Sequence, residues 1–374
     1  MGFDLDGAEV PRYGAGALAD LTPSVLAALG VPDGRNVLDL PQARRVCVLL
    51  IDGLGWEQLH EHAEYAPFLS SLPGRKLTAG FPATTVTSLA SLGTGLPPGG
   101  HGLVHIRVAV PETGKLINCL KWDDSLDPAS FQAAPTAYEQ AAAAGVHVAY
   151  VASGAYRGSG FTTATARGAE YAPADSLGQL IAQAEQELRK GDRSFVTVYH
   201  PDLDATGHRH GVGSPAWRYQ LAFVDQLAER VAGILPPGTA LYITADHGMT
   251  NPSDRVDADE VKALQEGVAH LGGDARSRYV YAVPGAEADV LAAWRETLGD
   301  RAWVCTRDEA VAAGWFGTVS PELLPRIGDV VAVAHGDLAI VASEREPLVT
   351  QMVGMHGSLV SAEMLIPLLT DHRA

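Results

Sequence analysis

The sequence RVCVLLIDG at residues 45–53 decides the fold class. Its near-continuous apolar run is typical of a strand that is buried on both faces of a parallel sheet. Three similar runs follow, at residues 146–152, 194–199 and 240–244. A helical pattern precedes each of them, at residues 136–144, 175–190 and 216–234. This alternation predicts an α/β domain with a largely parallel central sheet.

The composition limits the classes of function. The chain has 374 residues, 47% of them hydrophobic and 19% charged, so it can bury a large core. Its formal net charge of -17 argues against a nucleic-acid-binding surface, because phosphate backbones attract Lys and Arg. No segment has the apolar length of a membrane span. The cysteines form no CxxC pair and stand at Cys47, Cys119 and Cys305. We therefore expect a cytoplasmic protein with no membrane partner; the oligomeric state stays open.

A change in the sequence after Met249 predicts a second, smaller unit. A charged stretch comes first, followed by weaker strand and helix patterns at residues 279–283 and 286–298. Short strand patterns follow near Trp303, Val330 and Ile340. We therefore expect residues 1–253 and 344–374 to form the core domain, and residues 254–343 to form an inserted α+β cap.

Acidic residues and histidines follow the predicted strands or return near the end of the chain. They are Asp52, Asp204, His208, Asp246, His247 and His356. In parallel sheets the carboxyl ends of the strands form one edge, where ligands bind. Three carboxylates and three imidazoles without a thiolate suit Zn, with Mn or Fe as alternatives, and they suffice for two ions. Two divalent ions would contribute +4 against the -3 of the carboxylates, whose crowding is otherwise repulsive.

The stretch FPATTVTSLASLGTGLPPGGHG at residues 81–102 carries the candidate nucleophile. Thr84 and Thr85 stand where an N-cap and first-turn residue belong, ahead of a helical apolar face that ends near Gly93. The start of a helix attracts anions such as phosphate. On this stretch alone, an ordinary helix cap and a nucleophile both remain open; the acidic and histidine set favours the nucleophile.

Five motifs in this order make the chain resemble a known family. They are LLIDGLG, FPATTVTSLASLGTGLPPGGHG, DLDATGHRHG, ITADHGM and MVGMHGS. Together they resemble the nucleotide pyrophosphatase/phosphodiesterase family of the alkaline phosphatase superfamily. The resemblance implies an alkaline-phosphatase-like three-layer fold and hydrolysis of a phosphodiester or pyrophosphate bond in a small phosphate ester.

The resemblance also implies roles for individual residues. It assigns one zinc to Asp52, Thr85, Asp246 and His247, and the other to Asp204, His208 and His356. Thr85 matches the family's nucleophile, with its neighbour Thr84 as the second choice. The family mechanism implies attack by the threonine on phosphorus, followed by hydrolysis of the threonine-bound intermediate.

One departure from the family pattern concerns the substrate. The family usually has an Asn that contacts phosphate where this chain has Ile106. His105 or Arg107 could take over that contact, Arg107 with two hydrogen bonds. Trp56, Trp122 and Tyr156 could stack on an aromatic group of the substrate, although single aromatic residues more often belong to the core.

Alternative functions remain open at this point. A phosphonate hydrolase or a phosphomonoesterase of the same superfamily would use a similar metal site. An inactive metal-bound scaffold or binding protein is the alternative outside enzymes. The presence of all six ligands together with Thr85 argues against the scaffold.

Overall fold

The computed structural model describes residues 6–110, 113–123 and 125–373. Its strands are Arg45–Ile51 (β1), Gly74–Thr78 (β2), Arg107–Val110 (β3), Lys115–Asn118 (β4), His147–Ala152 (β5), Glu170–Pro173 (β6), Ser194–His200 (β7), Thr239–Thr244 (β8), Asp254–Asp257 (β9), Val268–Asp274 (β10), Ser277–Ala282 (β11), Ala302–Thr306 (β12), Val330–Ala334 (β13), Leu338–Val341 (β14) and Leu365–Arg373 (β15).

The α-helices are Leu21–Ala28 (α1), Trp56–Glu61 (α2), Pro67–Ser71 (α3), Thr85–Thr94 (α4), Pro98–His101 (α5), Pro128–Phe131 (α6), Ala137–Ala143 (α7), Gly160–Thr165 (α8), Leu177–Leu188 (α9), Asp202–His210 (α10), Pro215–Gly233 (α11), Glu287–Leu298 (α12), Arg307–Ala312 (α13), Pro347–Thr350 (α14) and Ser361–Met364 (α15). Short 3-10 helices occupy Leu18–Asp20, Ala63–Tyr65, Gly154–Tyr156, Lys262–Leu264, Gly299–Arg301 and Pro321–Arg326.

The central sheet has seven strands in the order β2-β15-β8-β1-β7-β5-β6. The four apolar runs of the sequence form its parallel centre, with β1 between β7 and β8. In register, Ile51 lies opposite His200 and Leu50 opposite Thr244. The residues that follow β1, β7 and β8 therefore meet at one edge of the sheet. The predicted α/β class with a largely parallel sheet is confirmed.

Helices cover both faces of this sheet, which gives the three layers. All seven residues of β7 are buried, as a strand covered on both faces requires. The amphipathic helix α9 buries Leu180, Ala184 and Leu188. Helix α7 begins with a capping box between Thr136 and Glu139. The predicted helices before β5, β7 and β8 are therefore present, with ends shifted by a few residues.

The region 254–343 contains a second sheet, with the antiparallel order β10-β11-β13-β12. Its strands alternate, so that Tyr279 and Tyr281 contact the main core while Val280 packs in a separate cluster with Trp294 of α12. One face of the smaller sheet therefore rests on the larger domain. The boundaries at residues 254 and 343 stay a prediction.

Strand β15 lies between β2 and β8 and is longer than its apolar residues alone would indicate. It runs over nine residues and pairs antiparallel with both β8 and β2, so the sheet is mixed at this side. Only its first part, Leu365 to Leu369, is apolar and buried; the rest is polar and lies near the surface. A strand that leaves the core loses the apolar signal that predicts it.

Candidate active site

The carboxyl edge of the central sheet brings all six predicted ligands together. Their ligand atoms form two groups, each within 4.8 Å: Asp52, Asp246 and His247 in the first, and Asp204, His208 and His356 in the second. Asp52 follows β1, and Asp246 and His247 follow β8. Asp204 and His208 lie one turn apart on α10, as the i, i+4 spacing predicted. His356 comes from the loop before α15.

The three histidines of these groups are held in the same way. The Nδ1 atoms lie 2.8 Å from the Gly354 carbonyl for His208, 3.0 Å from the Gly248 carbonyl for His247, and 2.8 Å from the Ala83 carbonyl for His356. A carbonyl only accepts hydrogen bonds, so each Nδ1 carries the hydrogen. In the neutral ring, Nε2 then offers its lone pair, which is how second-sphere carbonyls orient metal-binding imidazoles.

The three carboxylates each keep one buried oxygen without a hydrogen-bond donor: Oδ1 of Asp52, Oδ1 of Asp204 and Oδ2 of Asp246. His247 Nε2 lies 3.6 Å from Asp52 Oδ1 and 3.3 Å from Asp246 Oδ2, and His356 Nε2 lies 3.7 Å from Asp204 Oδ1. Since buried carboxylate oxygens normally accept hydrogen bonds, their orphaned state is costly in the protein alone. One divalent cation in each group would satisfy these oxygens, so the residues fit the two predicted ions.

The pKa values of the group reflect burial and the crowding of its carboxylates. Burial raises the pKa of Asp52 well above its usual range, and the nearby Asp246 and Asp204 add to the effect. Burial also raises the pKa of Asp246 to about 6. In the second group, burial is outweighed by Asp204, which raises the pKa of His208 to about 9. A buried cluster with these shifts is typical of a cation site or catalytic centre.

Thr85 begins helix α4 beside the first group. Its Oγ1 lies 3.3 Å from His247 Nε2. The Thr84 hydroxyl instead contacts Thr87 Oγ1 at 3.2 Å and is fully buried. Thr85 is therefore the threonine whose hydroxyl reaches a predicted ligand. The helix extends one residue past the predicted end at Gly93, and Gly95 closes it with φ 70°.

Two neighbours hold the ligands in position, and one of them was missed in the sequence. Gly53 has φ 76°, and a Cβ there would lie 3.0 Å from atoms of Asp204. Tyr199 donates its hydroxyl to Asp52 Oδ2 over 2.5 Å and is the residue that the motifs did not identify. Its signal was indirect: it lies at the end of β7, beside the strand that carries Asp52.

The two predicted substrate contacts have partners elsewhere. His105 is fully buried; its Nε2 lies 2.8 Å from Ser277 Oγ and its Nδ1 accepts from the Ile106 backbone. Arg107 forms an ion pair with the buried Glu346, which also binds Arg278. Neither residue lines the cavity that contains Thr85. Their assignment to substrate binding gains no support from these contacts and stays a prediction.

A third group of possible ligands differs from the first two. His147 Nε2 lies 2.7 Å from Glu187 Oε2, and Glu170 is exposed beside them. The Lys190 ammonium lies 2.8 Å from Glu187 and 3.6 Å from Glu170. Because a lysine already compensates these carboxylates, the group reads as an ion-pair network at the protein surface.

Thr85, Asp52 and Asp204 lie in the wall of a cavity of about 380 Å³. A larger cavity of about 660 Å³ lies near Tyr13, Asp20 and Leu96 and contains none of the six ligands. We place the candidate substrate site in the smaller cavity, since the reacting groups lie there. Of the three predicted stacking aromatics, Tyr156 lines it; the Trp122 indole instead donates to the Leu126 carbonyl.

None of the helices in the described ranges is long and apolar enough to cross a membrane.

A comparison with curated proteins finds human ectonucleotide pyrophosphatase/phosphodiesterase family member 7, 26% identical over 254 residues. The match covers 63% of this chain and 54% of the human protein, so this chain spans about half the length of that relative.

Solved structures with a similar fold include two kinds of enzyme. Murine ectonucleotide pyrophosphatase/phosphodiesterase 5 superposes with a TM-score of 0.71 at 21% identity, covering 88% of both chains. An inactive form of that protein in complex with AMP gives 0.70. Phosphonoacetate hydrolase from Sinorhizobium meliloti 1021, in complex with phosphonoformate, gives 0.68 at 19% identity, covering 91% of this chain and 92% of the other. At these identities the likeness establishes the fold.

The family profile gives the assignment. The profile of the type I phosphodiesterase / nucleotide pyrophosphatase family matches residues 46–359. This range includes Thr85 and all six predicted ligands. The chain belongs to the type I phosphodiesterase / nucleotide pyrophosphatase family of the alkaline phosphatase superfamily.

Proposed function

We propose that this chain hydrolyses a phosphodiester or pyrophosphate bond of a small molecule, with Thr85 as nucleophile at a site for two divalent ions. Zinc is the first choice of ion, with manganese or iron as alternatives. The observation that carries the proposal is the grouping of three carboxylates, each with one orphaned oxygen, with three imidazoles, and the Thr85 hydroxyl beside them.

The ligands divide into two sets. Asp52, Asp246, His247 and the Thr85 hydroxyl would hold one ion. The other ion would be held by Asp204, His208 and His356. Once bound, two divalent ions would compensate the carboxylates, bind the phosphate and lower the pKa of the Thr85 hydroxyl. The nucleotide-binding and phosphonate-binding structures of the same fold support a small phosphorus-containing substrate.

Thr85 carries out the first bond change. Its Oγ1 attacks phosphorus and loses its proton to solvent, while the bond from phosphorus to the leaving oxygen breaks and that oxygen keeps the electron pair. Water then attacks the phosphothreonine, the bond from phosphorus to Oγ1 breaks, and Oγ1 regains a proton. The leaving oxygen takes up a proton from solvent. On a diester the net reaction therefore consumes one water and gives a phosphomonoester and an alcohol, and on a pyrophosphate it gives two phosphates. His247, held by the Gly248 carbonyl, keeps its Nε2 directed at the same hydroxyl.

A pair of threonine variants tests this proposal. We expect Thr85→Ala to reduce kcat on bis(4-nitrophenyl) phosphate by at least about 1,000-fold while the two ions remain bound. Thr84→Ala removes a neighbouring hydroxyl that contacts Thr87 and should retain most of the activity. Metal analysis of the same samples separates loss of the nucleophile from loss of the ions. A dead Thr84→Ala enzyme beside an active Thr85→Ala enzyme would contradict the assignment.

The panel of substrates should also test the alternative functions. Faster cleavage of bis(4-nitrophenyl) phosphate than of 4-nitrophenyl phosphate would support a diesterase. Activity confined to phosphonoacetate would favour a phosphonate hydrolase, and activity confined to 4-nitrophenyl phosphate a phosphomonoesterase. A protein that binds two ions and cleaves none of these compounds would favour the inactive scaffold.

We also propose a cytoplasmic location. The support is chemical: Cys47, Cys119 and Cys305 are all buried and free of disulfides, as in proteins from reducing compartments. Fractionation of the source cells, followed by detection of the chain in the soluble cytosolic fraction, would test it. Recovery in an extracellular or envelope fraction would contradict it.

A further inference from the structure

We infer that the cavity beside Thr85 selects phosphodiesters with an uncharged, apolar organic arm, such as an aryl or alkyl group, over esters whose arms carry a carboxylate or further phosphate. The inference rests on the proposed function and deepens it by naming the substrate class. It starts from the position of the cavity, whose wall includes Thr85, Asp52 and Asp204. A phosphate at the reacting groups can therefore extend one of its arms into this space.

The cavity offers apolar surface to that arm. Leu89, Leu120, Phe161 and the ring of Tyr156 contribute to its lining. Leu120 is 46% exposed and Tyr156 39% exposed, which is high for large apolar side chains near a reacting centre. Burying such surface on binding is favourable, and exposed apolar groups beside a site commonly mark where a ligand makes contact. The volume of about 380 Å³ lies within the range of small-molecule sites.

Apart from the two ligands Asp52 and Asp204, the polar side chains of the cavity are hydroxyls. Ser159, Thr162 and Thr165 supply three of them. Burial raises the pKa of Tyr150 well above the usual range, so its phenol stays neutral. The Tyr199 hydroxyl already donates to Asp52. Ser159 already donates to Thr162, and Thr165 to the Phe161 carbonyl. Neutral hydroxyls do not compensate a full negative charge on the arm.

No lysine or arginine lines the cavity within the ranges that the structure describes. Its charged residues are Asp52 and Asp204, both already assigned as ligands. Arg107, the cation predicted to contact the anion, is held by Glu346 instead. A carboxylate or second phosphate on the arm would thus be desolvated without a cationic partner, and selection against a charged arm follows from that cost.

Symmetrical diesters test this selection without requiring knowledge of which arm enters the cavity. We would measure kcat/KM of the zinc-loaded full chain on diphenyl phosphate and bis(3-carboxyphenyl) phosphate, following the released phenols by chromatography. A carboxylate at the 3-position changes the acidity of the phenol little, so the two leaving groups are comparable. The expected preference for diphenyl phosphate is at least about tenfold.

Two leucine variants distinguish the effect of the cavity on substrate preference from the effect of the overall negative charge of the chain. Leu120→Lys adds a cation at the mouth of the cavity and should reduce the preference by at least about threefold, mainly through faster cleavage of the dicarboxylate. Leu348→Lys adds the same charge at a 72% exposed leucine outside the cavity lining and should leave the preference unchanged.

The outcomes separate the inference from the proposed function. Equal cleavage of both diesters by an enzyme that depends on Thr85 would overturn the inference and leave the function intact. An equal shift in Leu120→Lys and Leu348→Lys would also overturn it, because the selection would then come from the net charge. If neither diester is cleaved, or if Thr85→Ala cleaves them as well as the unaltered chain, both the function and the inference fail.

Discussion

The ligand edge of the central sheet and the segment from His105 to Arg107 contain similar side chains, yet their polar atoms are in opposite states. At the ligand edge, three buried carboxylate oxygens accept no hydrogen bond. In the segment, His105 is bonded at both ring nitrogens and Arg107 is paired with Glu346. The carboxylate oxygens of the first region have no donor within the protein and suit bound cations, whereas the polar atoms of the second region are already paired with protein groups.

This difference shows what separates a site from a structural network of the same residue types. A buried polar group without a partner costs free energy that an absent ligand can recover, while a satisfied group has nothing more to gain. The His147 group makes the same point, because Lys190 compensates its carboxylates. The regions therefore differ in whether their buried polar atoms have hydrogen-bond or ion-pair partners, more than in residue type.

The largest expected effect breaks the ligand edge directly. Asp204→Asn removes a carboxylate from the second group, so we expect loss of one ion per chain and a fall in kcat/KM of more than about 1,000-fold. Metal analysis and turnover of bis(4-nitrophenyl) phosphate measure both. The matched control is Asp202→Asn on the same helix, since the Asp202 side chain is 61% exposed. Equal loss in both variants would contradict the assignment.

A smaller effect is expected from the residue that supports Asp52. Tyr199→Phe deletes the hydroxyl that donates to Asp52 Oδ2, and we expect a 10- to 100-fold loss of metal affinity or activity, on the order seen for second-sphere partners. Tyr138→Phe is the control, since it removes a buried hydroxyl that contacts Thr197 and no ligand. Titration with zinc after chelation gives the affinity. An unchanged Tyr199→Phe enzyme would show that the hydroxyl does not position Asp52.

A substitution in the segment from His105 to Arg107 should lower the free energy of unfolding more than it lowers turnover. Arg107→Gln leaves Glu346 with Arg278 alone, and we expect a loss of about 1–2 kcal/mol in the free energy of unfolding. Activity on diphenyl phosphate should change by less than about threefold, because Arg107 lies outside the cavity lining. Denaturant titration and kinetics on the same preparation test this. A large rise in KM with unchanged stability would restore Arg107 as a substrate contact.

The pH dependence of stability tests His105 separately. Burial lowers the pKa of His105 to about 3, whereas an unfolded histidine has a pKa near 6.5. Between these values the unfolded chain binds a proton that the folded chain does not. Stability should therefore fall as the pH drops below 6.5, by up to about 1.4 kcal/mol per pH unit from this group.

His105→Gln should remove that contribution, and His60→Gln, at an exposed histidine, should keep it. Unfolding by denaturant at pH 7.0 and 5.5, with zinc in excess, gives the comparison. Identical losses of stability on acidification in both variants would contradict a buried neutral His105.

The smallest expected effect concerns the third group. Glu187→Gln alters the His147 cluster but leaves the two ligand triads untouched. We expect the metal content and kcat/KM to stay within about twofold of the unaltered chain. Loss of one ion in this variant would make the cluster a metal site and remove the distinction based on Lys190.

Strand-end residues made the ligand edge predictable. Asp52 and Asp246 follow short apolar runs that are typical of buried strands, and Asp204 and His208 carry a helical spacing. These signals are local in the sequence, so they survive without knowledge of the tertiary structure. The same holds for the parallel centre of the sheet and for the helices that precede its strands.

The supporting contacts could not be predicted in this way. Tyr199 on β7 contacts Asp52 at the end of the neighbouring strand β1. His105 contacts Ser277, which lies 172 residues away in the sequence. Such pairs depend on strand register and on the packing of the second sheet, which a single sequence does not encode in any short pattern. The polar end of β15 is hard to predict for a related reason, since its residues near the surface carry no apolar period.

The central claim is that the orphaned carboxylates form a site for two ions that the reaction requires. Its most direct test is a zinc titration of the chelated protein, with metal content and hydrolysis of bis(4-nitrophenyl) phosphate measured on the same samples. We predict an inactive metal-free protein whose activity rises with added zinc and reaches its plateau at two equivalents per chain. Full activity in the metal-free protein, or a plateau at one equivalent, would contradict the account.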